Sequence, residues 1–81
     1  MTQRMIDAMN EQIKWEFFSG YLYLSMSAYC ADLGLSGFAS WFWYQSREEM
    51  YHGMKMFNYV LERGGKITLQ SIDEPRHAWD S

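Results

Sequence analysis

One cysteine, Cys30, and one proline, Pro75, are all that the 81 residues contain of either type. A lone thiol cannot staple the fold internally, so its stability has to come from packing. No charged-then-apolar signal segment precedes the first polar positions, and together with the single thiol this predicts a cytoplasmic protein. Basic clusters are absent too, and the formal net charge is −3. That balance excludes nucleic acid and anionic membrane as natural partners and favours cationic ligands. Nor does any apolar run approach the roughly 18 residues of a membrane span, because Lys14, Glu16, Asp32, Arg47 and Glu48 interrupt the pattern. The chain is expected to be soluble.

Apolar and aromatic residues, in contrast, are abundant: 48% and 19% of positions, with seven methionines and four tryptophans. A chain this short buries only a modest share of its surface when alone, so these side chains predict oligomerisation. From Met5 to about Asp32 one series advances by threes and fours: Ile6, Met9, Ile13, Glu16, Gly20, Tyr23, Ser27 and Cys30. This is the face of a helix, expected over about residues 3–33. Gly34 then suits a left-handed helix end, and Ser36 is positioned to cap a new N-terminus. The second helix, over about residues 37–63, has the inner series Phe38, Phe42, Gln45, Glu49, His52, Met56 and Tyr59. Arg63-Gly64-Gly65 ends it with a cation in the last turn and a glycine beyond.

The expected fold is thus all-α: an antiparallel two-helix hairpin, each arm about 40 Å long, followed by an extended tail over residues 64–81. Within that tail His77 reads as a solvated residue. A second apolar stripe runs through Phe18, Leu22, Met26 and Tyr29 on the first helix and Trp43, Met50, Met54, Phe57 and Leu61 on the second. Helices apolar on two faces are buried on two faces, so a homo-oligomer built through both is expected.

Within the inner series Glu16, Glu49 and His52 stand out, since a charge at a buried position calls for a partner or a metal. Glu49 and His52 lie three residues apart on one helical face, where a carboxylate oxygen and an imidazole nitrogen can converge on one ion. Counting back from the turn places Glu16 within about five residues of their level on the facing helix. Mixed carboxylate and imidazole ligation suits iron or manganese, with zinc possible. Tyr23, seven residues after Glu16 on the same face, reads either as a hydrogen-bond donor to a ligand carboxylate and electron donor, or as an aromatic core filler. Glu48 points about 100° away from Glu49 and reads as solvated or as an accessory cation ligand. Cys30 lies roughly 21 Å farther along the helix than Glu16 and reads as a small core residue.

The stretches "MIDAMNEQIKWEFFSGYLYLSMSAY", "GLSGFASWF" and "EEMYHGMKMFNYVLERGGKITLQSIDEP", with the final tryptophan, resemble the first half of the bacterial non-haem ferritin subunit. The resemblance implies a single half-ferritin unit over residues 1–81, which pairs into a ferritin-like four-helix bundle. It further implies that Glu16, Glu49 and His52 are ferroxidase ligands of a di-iron site, with Tyr23 beside it and Glu48 a candidate auxiliary iron ligand. Fe(II) and O₂ or peroxide would be its substrates and a stored Fe(III) mineral its product. The resembled subunit is about twice this length, so a second chain is expected to complete the site. The residues also admit two alternatives: a helical assembly module with an idle metal site, and a haem-binding, bacterioferritin-like dimer ligated through Met50, which also fits plain packing.

Overall fold

The computed structural model describes residues 1–80; of the expected tail, residue 81 lies outside the described residues. Two helices, α1 (Gln3–Asp32) and α2 (Ser36–Glu62), form an antiparallel hairpin, with no strand among the described residues. Thr2 starts α1, its hydroxyl accepting from the Met5 amide at 3.2 Å. Both helices end alike. Gly34 and Gly64 adopt φ of 77° and 73°, and the amides of Leu35 and Gly65 reach back to the carbonyls of Cys30 and Val60, each at 2.9 Å. The left-handed residue lets the chain satisfy two carbonyls that a helix end would otherwise leave open. The expected cap at Ser36 is a correction: Leu35 occupies the capping position without a side-chain bond, and Ser36 is the first helical residue. The turn is so short that Leu35 both closes α1 and opens α2. Arg63 likewise lies just past α2 rather than in its last turn, its guanidinium 4.0 Å from the centre of the Tyr59 ring.

The seam between the helices differs from the apolar series read in the sequence. On α1 Ile13, Gly20 and Ser27 are buried; on α2 the buried residues are Ser46, Gly53 and Val60, seven apart. The expected inner series of α2 lies along one flank of this seam, with Phe38 63% and Tyr59 40% exposed. Small residues draw the helices together. A Cβ on Gly53 would fall on the Phe17 ring, and one on Gly20 would meet the Met50 sulfur at 2.9 Å and the Ser46 carbonyl at 3.2 Å. Two hydroxyls bridge the seam, Ser46 donating to the Gly20 carbonyl and Ser27 to the Ala39 carbonyl, each at 2.6 Å.

The tail is extended, as expected, and it is held against α1 by side chains that grip its backbone. Asn10 donates to the Lys66 carbonyl and accepts from the Thr68 amide, both at 3.0 Å. Farther along, the Ser25 hydroxyl donates to the Arg76 carbonyl at 2.8 Å, and the Tyr29 hydroxyl to the Trp79 carbonyl at 2.6 Å. The rings of Tyr29 and Trp79 also meet edge to face at 5.2 Å. Pro75 is buried, while His77 is exposed beside Glu74 at 3.7 Å.

Among the described residues only Ile13 and Val60 are buried large apolar residues. The exposed area of 5892 Å² exceeds the roughly 5,100 Å² of a compact monomer of this size, so the hairpin leaves apolar surface to be covered.

This packing can be tested at its glycines. Gly53→Ala should destabilise the hairpin by about 1–3 kcal/mol through overpacking on Phe17, whereas Gly37→Ala, helical and in open space, should stabilise by up to about 1 kcal/mol. Thermal melts followed by circular dichroism measure both; an equal response of the two variants would refute the tight seam. Asn10→Ala should free the start of the tail, costing about 1–3 kcal/mol because two hydrogen bonds from the buried Asn10 side chain to tail backbone are lost. Hydrogen exchange of the Thr68 amide should rise while that of the α2 centre holds.

Candidate metal centre

Seam register assembles the site. Ser27 faces Ala39 and Gly20 faces Ser46, so moving four residues back along α1 to Glu16 moves four forward along α2 to Met50. Glu49 and His52 flank that position on the same side of the seam as Glu16. Ligand atoms of the three residues all lie within 4.8 Å of one another, the only such group among the described residues. Nδ1 of His52 stands 3.8 Å from Oε2 of Glu16 and 3.9 Å from Oε2 of Glu49. These separations are too long for direct hydrogen bonds. They fit one shared cation, since two donors each about 2.0–2.2 Å from an ion lie at most about 4.3 Å apart. The donor set of two carboxylates and one imidazole is thus arranged to take a divalent metal such as iron, with manganese and zinc compatible.

Electrostatics at the cluster are those of a site that lacks positive charge. Glu49 is raised above the usual carboxylate range, first by the hydrogen bond it makes to Glu16, then by burial and by the charges of Glu16 and Glu48, against the pull of His52. Glu16 is lowered, chiefly by that same hydrogen bond from Glu49 and further by the Gln12 amide and His52, against a desolvation penalty. Two neighbouring carboxylates are what a bound cation would neutralise, and metal binding displaces protons from its ligands.

The remaining sequence candidates fall around this centre. Tyr23 stacks on Phe42, ring centres 6.1 Å apart at 25°, and its hydroxyl makes no hydrogen bond to a ligand carboxylate among the described residues. Glu48 is exposed and acts on the cluster through its charge on Glu49. Met50 packs its thioether against α1 at Gly20. Cys30 is a free, half-buried thiol beside Met26, Tyr29, Phe42 and Trp79. Gln12 is a site residue that the apolar periodicity does not reveal: its amide donates to Oε1 of Glu16 at 3.1 Å. Its position one helical turn before Glu16 is the signal that marks it.

Fold and cluster together define a helical-hairpin protein with a carboxylate–histidine group that could hold a metal ion. The chain belongs to the ferritin-like domain family, whose pattern it matches over residues 6–81. It is 33% identical over 76 residues to the bacterial non-heme ferritin of Staphylococcus aureus (strain USA300), covering 94% of this chain and 46% of that protein. Against the counterpart from Staphylococcus haemolyticus the identity is 33% over 81 residues, covering 100% and 49%. Among solved structures, the open pore ferritin of Archaeoglobus fulgidus superposes with a TM-score of 0.97 at 47% identity, over 100% of this chain and 50% of that one. A humanized archaeal ferritin gives 0.98 at 48% identity, over 100% and 49%. The chain spans about half the length of the curated relatives it matches. No described helix is long and apolar enough to cross a membrane.

Removing one ligand from so small a set should be severe. Glu16→Ala and His52→Ala should each weaken Co(II) binding by at least the roughly 10–100-fold seen when even supporting residues of a metal site are lost. Glu48→Ala, which removes only a neighbouring charge, should weaken it far less. A Co(II) titration followed by visible absorbance decides; equal affinity in all three variants would exclude the cluster as the binding site.

Proposed function

We infer that this chain binds Fe(II) through Glu16, Glu49 and His52 and takes part in its oxidation by O₂ or peroxide, as a ferritin-like ferroxidase. The observation that carries this reading is the convergence of three ligand atoms within 4.8 Å, drawn from two helices, in a chain of the ferritin-like family. A di-iron site of the ferritin type takes a glutamate from each of two helices and a Glu-x-x-His pair from each of the other two. This hairpin supplies one of each, Glu16 and the Glu49/His52 pair, so a second such half completes it. Each Fe(II) substrate gives up one electron, and two together reduce O₂ to the level of hydrogen peroxide with uptake of two protons.

The protein's share is geometry and charge. Glu16 and Glu49 supply negative charge that favours Fe(III) over Fe(II), and Gln12 holds the Glu16 carboxylate in place. Half-exposed His52 leaves a path for the ion to enter. Tyr23, supported by its stack on Phe42, is the reductant nearest in sequence on the same helical face. Storage of the Fe(III) product belongs to a closed homo-oligomeric assembly, for which the exposed apolar residues of both flanks supply contact surface. The cytoplasm, where Fe(II) and a free Cys30 both persist, is the compartment that fits.

Stopped-flow absorbance after mixing with Fe(II) in air should show a transient and then Fe(III) growth. Glu16→Ala should reduce the rate to the protein-free background. Tyr23→Phe should keep Fe(II) binding and slow the oxidation. A wild-type trace equal to the background would refute the ferroxidase reading.

A further inference from the structure

Met50 stands where the seam and the metal cluster meet. It follows Glu49 directly and precedes His52 by two residues, and its thioether crosses to α1 at Gly20, about one helical turn beyond Glu16. A Cβ at Gly20 would lie 2.9 Å from the Met50 sulfur and 3.0 Å from its Cγ. The thioether thus fills the space that the missing side chain leaves, and it holds α1 against α2 beside all three candidate ligands. The residue is also 38% exposed, within reach of a small solute.

Peroxide oxidises a thioether to a sulfoxide, turning a flexible apolar group into a polar one. The sulfur gives an electron pair to one oxygen of hydrogen peroxide as the O–O bond breaks and an S–O bond forms. The other oxygen leaves as hydroxide, takes the proton of the transferred oxygen and departs as water. The oxidant is what the proposed Fe(II) chemistry makes, since two Fe(II) reduce O₂ to the level of hydrogen peroxide.

The seam has no place for the product. The Ser46 carbonyl lies 3.2 Å from the same Cβ position, and the Gly20 carbonyl already accepts from the Ser46 hydroxyl at 2.6 Å. Both carbonyls are acceptors, as a sulfoxide oxygen is, while the amides at this level bond within their own helices. A polar group without a partner is costly to keep buried, so the oxidised side chain turns out to water and Gly20 is left facing a void. The helices then lose their spacing at the level where Glu16, Glu49 and His52 converge, and the donors separate. Met1, Met5 and Met54 are exposed too, but the atoms nearest the seam glycines Gly20 and Gly53 belong to Met50, Ser46 and Phe17.

Resting on the metal-site reading above, we propose that Met50 is a modification site: its oxidation to the sulfoxide by hydrogen peroxide opens the Gly20 contact and lowers the affinity of the Glu16–Glu49–His52 cluster for a divalent metal. The product of Fe(II) oxidation then restrains further loading of the centre.

The test needs no iron. The chain carrying Cys30→Ala, which removes the thiol that peroxide also oxidises, is treated with graded hydrogen peroxide in metal-free buffer. Peptide mass spectrometry locates each sulfoxide, and a Co(II) titration followed by visible absorbance gives the affinity. Binding should weaken at least about tenfold, as for loss of a supporting residue, and the weakened fraction should match the fraction oxidised at Met50. Met50→Leu, close in volume and inert to peroxide, should keep its affinity through the treatment, while Met54→Leu should lose it as the parent does. Full conversion of Met50 with affinity unchanged would overturn the proposal and leave the metal-site reading standing. So would a loss that tracks Met5 or Met54 instead, or Met50 staying reduced while Met54 is fully converted. Should Met50→Leu fail to fold, the parent's graded series decides alone. No Co(II) binding before treatment would overturn both.

Discussion

Phe17 fits against Gly53, and the Met50 thioether against Gly20, because neither glycine has a side chain to keep them out. That close approach is the constraint on which the rest of the hairpin depends. Once the helices are this near, the Ser46 and Ser27 hydroxyls reach carbonyls of the opposite helix and set which residues face one another. The register places Glu16 level with the Glu49-x-x-His52 pair. A shift of one turn along either helix would move these donors by about 5.4 Å, more than the span over which they now converge. Packing of small residues thus sets the geometry of the candidate metal cluster.

The tail contributes a second kind of order. It forms no helix or strand among the described residues, yet Asn10, Ser25 and Tyr29 hold its backbone along α1. Side chains here supply the hydrogen bonds that a ladder partner would supply in a sheet, satisfying amides and carbonyls of an irregular segment. With the tail on one side and the seam on another, the strip around the cluster stays open. What the hairpin leaves uncovered is therefore localised: a flank with ligands at its centre and a flank without.

Much of this is legible in the residues taken in order. Both helices lie within about a residue or two of their expected ends, because proline is absent before position 75 and Gly34 and Gly64 sit where left-handed conformations are needed. The three candidate ligands are legible as well, since a charged side chain within an apolar series at helical spacing needs a counter-charge or an ion to offset its desolvation. The α2 seam is not. Ser46 and Gly53 carry little hydropathy, so a pattern built on apolar residues selects Phe38 and Tyr59, which are exposed. Close contact rewards smallness, and the periodicity of apolar residues does not register it. Gln12 is hidden similarly, as one polar residue among several on its helix.

The amino-acid order alone determined the all-helical class, the hairpin, its turn and the set of donors, because these follow from local periodicity, glycine placement and the cost of isolated charges. Tertiary structure decided which stripe becomes the seam, where the tail lies, and how near the donors come. Those depend on side-chain shapes meeting across two helices, a property of pairs of residues far apart in the chain that no single segment contains.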